Sequence, residues 1–241
     1  MAESPSRGSH RGAENARRTT KALLADPEKR LLVWVAARLP RWVLPDHLSL
    51  LALAGAVIIT GCYALSNLRE SWLWGANFGL FVHWLGDSLD GTLARHRRIE
   101  RPKYGFYVDH LADALATVAI GIGLGVSPFM LLSVGFAIVI GYLVLSINVY
   151  LETIVHGQFR FGYGVIGPTE ARILLIILNT IALFTRPLDF SVTFFGRTVG
   201  LTIFDVLGAL GALGMVAMLA RRAVRNLRLL AELEPANRPR E

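Results

Sequence analysis

A single cysteine, Cys62, in 241 residues excludes an internal disulfide, and its place inside an apolar run marks it as a packing residue. Cysteine clusters and paired histidines are also missing, so nothing argues for zinc. Strict apolar and polar alternation is absent, which excludes a membrane β-barrel. The first 26 residues lack an apolar centre, so they read as a disordered basic tail and not as a cleaved signal peptide. Charge is scarce: Asp, Glu, Lys and Arg make up 18% of the chain against 53% hydrophobic residues, with a mean hydropathy of +0.47. That balance excludes an ordinary soluble domain.

What is present is a set of long apolar runs. Six stretches, at about 47–66, 72–89, 105–126, 129–151, 168–185 and 200–219, have the length a helix needs to cross roughly 30 Å of hydrocarbon. The expected fold is therefore an all-α integral membrane protein with six transmembrane helices, its six-span domain covering residues 46–222 and a cytoplasmic tail following at 223–241. Ahead of the spans, residues 27–45 mix Lys29, Arg30, Arg38 and Arg41 with Leu31, Leu32, Val33, Trp34, Val35, Leu39 and Trp42. This pattern predicts an amphipathic helix lying in the membrane interface, with a plain surface helix as the alternative.

The net charge of +7 raises nucleic acid as a partner, but its distribution points to topology instead, and no nucleic acid is expected. Nine Lys and Arg residues precede the first run, five lie from Arg95 to Lys103, and six lie from Arg221 onward. The positive-inside rule then places both termini, and the loops after the second and fourth runs, in the cytoplasm of a cell-membrane protein. Arg97, Arg98, Arg101 and Lys103 carry that signal, with substrate binding as their alternative role.

Four aspartates break the apolar pattern. Asp87 and Asp90 end the second run, and Asp109 and Asp113 begin the third. The spacings i, i+3 and i, i+4 put each pair on one helix face, and the topology brings both pairs to the cytoplasmic side. Carboxylates beside lipid are costly unless paired, protonated or bound to metal, and clustered like charges call for a cation. An all-oxygen set suits Mg²⁺ or Mn²⁺, and four acids suit two ions. Gly91, Ala94 and Gly105 give a ligand room, while Arg95 offers a planar fork to phosphate. Together they suggest a phosphate-bearing ligand held between two helices. His83, one turn before Asp87, reads as a packed or hydrogen-bonded histidine.

Asp87, Asp90, Gly91, Ala94 and Arg95, followed by Gly105, Asp109 and Asp113, closely resemble the signature of the CDP-alcohol phosphotransferases: Asp-x-x-Asp-Gly-x-x-Ala-Arg, a linker, then Gly-x-x-x-Asp-x-x-x-Asp. The linker, His96 to Tyr104, has nine residues where eight is commoner. The resemblance covers roughly residues 28–225, and Asp46 stands where members often have Asn; it is expected to cap the first span. It implies transfer of a phosphoalcohol group from a CDP-alcohol donor to a lipid or lipid-precursor hydroxyl with release of CMP, in phospholipid biosynthesis. It also implies a homodimer. By this resemblance Asp87, Asp90 and Asp109 are metal ligands, Asp113 joins the metal site and acts as general base, and Gly91, Ala94 and Arg95 hold the cytidine diphosphate.

Two further features resemble the choline and ethanolamine phosphotransferase branch: His110 directly after Asp109, and Pro168, Thr169 and Glu170 at the start of the fifth run. In that branch the acceptor is diacylglycerol, and His110 and Glu170 would position or deprotonate its hydroxyl. The competing reading of the second feature is helix initiation, with Thr169 or Gly167 as cap. The opposite branch joins CDP-diacylglycerol to a polar alcohol, for which Arg160 and Arg172 are available. The donor and acceptor are left open. Two other classes remain: a Mg²⁺-dependent membrane prenyltransferase, whose acidic motifs would lie far apart in sequence, and a divalent-cation transporter, which would need carboxylates along a pathway near the midplane, whereas the sixth run offers only Asp205, toward the outer side.

Overall fold

The computed structural model describes residues 25–156, 168–185, 190–194 and 197–234. Seven helices carry the fold: α1 (Ala25–Ala36), α2 (Pro45–Leu65), α3 (Leu73–Arg97), α4 (Pro102–Gly125), α5 (Leu132–His156), α6 (Pro168–Phe184) and α7 (Ile203–Leu233). Each of the six apolar stretches is a helix. Among the described residues α2, α4, α5 and α7 are long and apolar enough to cross a membrane. Helix α3 carries Asp87, Asp90 and three basic residues in its last turns, and α6 has only 17 residues.

The amphipathic segment is shorter than expected. Helix α1 stops at Ala36, and residues 37–44 form turns. Pro40 accounts for this, since its ring excludes continued helix and disfavours helical geometry in the residue before it. Leu32 and Ala36 are buried with Val43, Leu48, Leu89 and Leu93, so α1 lies against α3, while Trp34 and Trp42 stay exposed. Arg97 fastens the following turns by donating to the carbonyls of Leu39 (3.0 Å), Pro40 (2.8 Å), Arg41 (3.4 Å) and Val43.

Asp46 does not cap α2. It pairs with Arg101 across the linker, while the Leu44 amide donates to Nδ1 of His47 at 3.3 Å. Arg101 also stacks on Tyr104 at 3.9 Å. Helix α3 ends where Arg98 enters the left-handed region at φ 55°, with the amides of Arg98 and Ile99 turned back onto Arg95 and Ala94. Pro102 then opens α4 in a first turn that needs no proline amide.

The helices α2 and α3 dock backbone to backbone. A Cβ on Gly55 would stand 2.6 Å from the amide nitrogen of His83, and one on Gly86 would stand 2.5 Å from both the amide of Ala52 and the carbonyl of Leu48. Helix α4 rests on α2 through Gly123 over Thr60, and on α5 through Gly121 and Gly125. These glycines therefore serve packing within one chain, as Gly208 does against Val134, whereas Gly211 and Gly214 have nothing within 4 Å. Cys62 is buried and free, packed where Gly75 leaves room for its sulfur.

One end of the bundle is closed by Asp205. Its carboxylate accepts from the amides of Leu131 (2.7 Å) and Thr202 (2.8 Å), and Thr202 caps α7 in return. The last helix thus starts at Ile203, three residues later than the hydropathy suggested, because residues 190–194 and 197–201 pair as an antiparallel hairpin. It continues to Leu233, so the expected tail is helical through that residue. Near the same end Tyr63, Asn179, Asn77 and Thr180 form a hydrogen-bonded chain linking α2, α6 and α3. This buried polar chain has every link paired, as a low-dielectric interior requires.

Candidate active site

The starts of α2, α4 and α6 and the ends of α3, α5 and α7 meet at the opposite end of the bundle. Ser49 on α2 donates to Oδ2 of Asp90 at 2.7 Å, and the Gly91 amide donates to the other carboxylate oxygen, so two donors orient Asp90. Arg172 on α6 donates from Nη2 to Oδ2 of Asp87 at 2.7 Å; the two side chains are only 13% and 23% exposed. Asp90 lies within electrostatic reach of Asp87 and Asp109, and Tyr150 on α5 within reach of Asp109 and Asp113. The backbone docking at Gly86 sets the height at which α3 presents its acids.

The Arg95 guanidinium lies over Gly91, where a Cβ would meet Nη1 at 3.1 Å, and Nη2 donates to Thr92 at 3.3 Å. A side chain at residue 91 would push this fork aside. Ala94 is half-buried one residue before, and Gly105 stands in open space at the start of α4. His110 donates from Nδ1 to the carbonyl of Phe106 at 2.7 Å, because a carbonyl can only accept. Its ring lies 4.1 Å from that of Phe106 and 5.3 Å from that of Tyr150. In the neutral ring Nε2 is then the basic nitrogen. Glu170 is half-buried on the first turn of α6.

A divalent ion fits this donor set in kind, since four carboxylates from two facing elements supply only hard oxygen ligands. In position the set is spread out. Among the described residues no three His, Cys, Asp or Glu side chains stand together closely enough to hold one ion. The reason is visible locally: Asp87 is taken up by Arg172 and Asp90 by Ser49 and Gly91, while α4 packs on α2 and α5 more than on α3.

Several side chains at this end were not singled out by the sequence. Ser49 and Glu28 are two of them, and the pairing of Arg172 with Asp87 is a third feature that the sequence does not signal. Oε1 of Glu28 accepts from Trp84 Nε1 (2.7 Å), Thr169 Oγ1 (3.0 Å) and Ser88 Oγ (3.3 Å). Thr169 therefore bonds to α1 instead of capping α6. Gly167 and Arg160 lie outside the described residues. His83 is packed, as expected, 4% exposed beneath Gly55. Glu152 on α5 is bound bidentately by Arg222 on α7 and also accepts from Asn226 and Asn148.

The stretch that carries these residues is similar to known proteins. The family model for CDP-alcohol phosphatidyltransferase matches residues 42–220, from the turns after α1 into α7. Similar relatives include cholinephosphotransferase 1 of Bos taurus and of Homo sapiens, each 29% identical over 199 residues, covering 78% of this chain and 47% of the relative. The Danio rerio cholinephosphotransferase 1 is 28% identical over 187 residues, covering 73% of this chain and 47% of its own. The chain thus spans about half the length of the curated relatives it matches. With the matched region enclosing both acidic pairs and helices α2 to α6, this multi-pass membrane protein belongs to the CDP-alcohol phosphatidyltransferase family.

Proposed function

We propose that the protein transfers a phosphoalcohol group from a CDP-alcohol donor to a lipid alcohol, releasing CMP, in phospholipid biosynthesis. The observation that carries this reading is that Asp87, Asp90 and Arg95 from α3 stand at the same end of an apolar helical bundle as Asp109 and Asp113 from α4. A soluble nucleotide and a membrane lipid can meet only where such a bundle touches water. We place this end, and both termini, on the cytoplasmic side of the cell membrane, with α3 and α6 completing six spans. A homodimer follows from the family resemblance.

In this reading Asp87, Asp90, Asp109 and Asp113, spread out in the fold, would be the residues to hold Mg²⁺ or Mn²⁺, up to two ions. When bound, such an ion would supply Lewis-acid chemistry at the phosphoryl group and the leaving CMP. The chain's own residues do the rest. Arg95, seated over Gly91, offers its fork to the diphosphate, with Ala94 and Gly105 leaving room for the nucleotide. Ser49 and the Gly91 amide fix Asp90. Asp113 takes the proton of the acceptor hydroxyl, and His110, its Nδ1 committed to Phe106, turns a basic Nε2 to the same task, with Glu170 helping to position the acceptor.

The relatives named cholinephosphotransferase favour CDP-choline or CDP-ethanolamine as donor and diacylglycerol as acceptor. Asp205, bound up in capping α7, gives no support to a cation pathway. The test is a panel of CDP-alcohols and acceptor lipids with purified protein in Mg²⁺ or Mn²⁺, reading CMP and lipid product by mass spectrometry. Acceptor-dependent CMP release is expected. No release from any pair, with metal transport into liposomes instead, would overturn the proposal.

A further inference from the structure

Helix α1 is tied to the site by one carboxylate. Glu28 precedes Leu32 by four residues and Ala36 by eight, so it continues the inward line of α1, whose outward side carries exposed Leu31, Val33 and Trp34. A carboxylate on an inward line needs donors, and three are present. Trp84 and Ser88 come from α3, and Thr169 comes from α6. Ser88 lies between Asp87 and Asp90, and Thr169 lies beside Glu170 and one turn before Arg172, the partner of Asp87. The apolar cluster of Leu32, Ala36, Leu89 and Leu93 seals the rest of the α1–α3 contact.

We propose that Glu28 is a positioning residue, joining helix α1 to the α3 and α6 turns that carry Asp87 and Arg172. The helix that meets the membrane surface thereby sets the spacing between α3 and α6 at the site. This rests on the transferase reading above for its effect on turnover, but the tether itself is testable without it. Bonds to an ionised acceptor contribute more than neutral ones, so losing this acceptor strands three donors at once.

The experiment uses the full chain in lipid nanodiscs. Glu28→Ala should lower kcat by about tenfold, the scale expected when reacting groups shift by a fraction of an ångström, with the KM for the CDP-alcohol nearly unchanged. Glu28→Gln, which keeps an acceptor oxygen of the same reach, should recover most of that loss. Trp84→Phe and Thr169→Val each remove one donor, and combining either with Glu28→Ala should add no further loss, because both act on the same contact. Amide exchange across residues 28–36 should rise in Glu28→Ala whether or not turnover is measured. Wild-type kcat and exchange in Glu28→Ala, or losses that multiply independently in the double variants, would overturn the proposal. If Glu28→Ala does not fold, unchanged turnover and exchange in Trp84→Phe and Thr169→Val would do the same. An inactive wild-type protein whose α1 exchange still rises in Glu28→Ala would refute the transferase reading and support the tether.

Discussion

Replacing Glu152 by glutamine removes a negative charge that faces Arg222 across the α5–α7 contact. Both side chains are 8% exposed, and the pair is bidentate at 2.9 and 2.7 Å, with Asn226 at 2.7 Å and Asn148 at 2.6 Å completing the acceptor's shell. Breaking a buried pair from one side costs about 3–5 kcal/mol, because the remaining charge loses the carboxylate that faced it. Glutamine keeps the volume and one acceptor oxygen, which puts the expected cost at the lower end, about 3 kcal/mol. For a chain of this size each kcal/mol shifts the midpoint by about 2–4 °C, so thermal unfolding in mild detergent should fall by roughly 6–12 °C. Arg222→Met should cost as much, whereas Glu152→Gln with Arg222→Met should cost less than the sum of the two, since neither charge is then stranded. A single-variant midpoint within about 2 °C of wild type, or strict additivity in the double variant, would refute the reasoning.

Three further outcomes follow from the site. Asp113→Asn should lower CMP release by about a hundredfold or more while donor binding persists, measured by single-turnover kinetics and nucleotide titration; near-normal turnover would remove Asp113 as base. Gly86→Ala should depress both turnover and thermal midpoint, since the new Cβ meets backbone atoms at 2.5 Å and overpacking costs about 1–3 kcal/mol; Gly214→Ala, with nothing within 4 Å, should leave both unchanged. Arg172→Gln should tighten Mn²⁺ binding by about tenfold in substrate-free titrations, because the arginine competes for Asp87, and weaker binding would refute that competition.

The sequence made the helices and the acidic face legible for a simple reason. Both depend on local periodicity: the apolar runs gave all six long helices, and the i, i+3 and i, i+4 spacings gave the shared faces. The partners of those acids depend on tertiary contacts that no spacing encodes. Ser49 is 41 residues from Asp90, and Arg172 is 85 from Asp87. Asp46 looked like a cap because of its position, but Arg101 claimed its carboxylate. Glu28 carried a readable signal after all, its i−4 relation to Leu32 on the inward line of α1, which a helical wheel would have exposed.

The way the acidic pairs are mounted explains why they face each other without gathering. Asp87 and Asp90 ride on α3, which is fixed to α2 by Gly55, Gly79 and Gly86 at backbone contact and to α6 by the Arg172 pair. Asp109 and Asp113 ride on α4, which reaches the same end through α2 and α5, its first turns largely exposed and Gly105 in open space. A carboxylate cluster built on one helix would have a fixed separation and a fixed repulsion. Dividing it between a tightly docked helix and a loosely flanked one lets the repulsion between the pairs be relieved by distance, with Arg172 neutralising the docked side. The counter-charge that α6 brings to α3 is therefore one of the contacts by which four acids share one end of an apolar bundle.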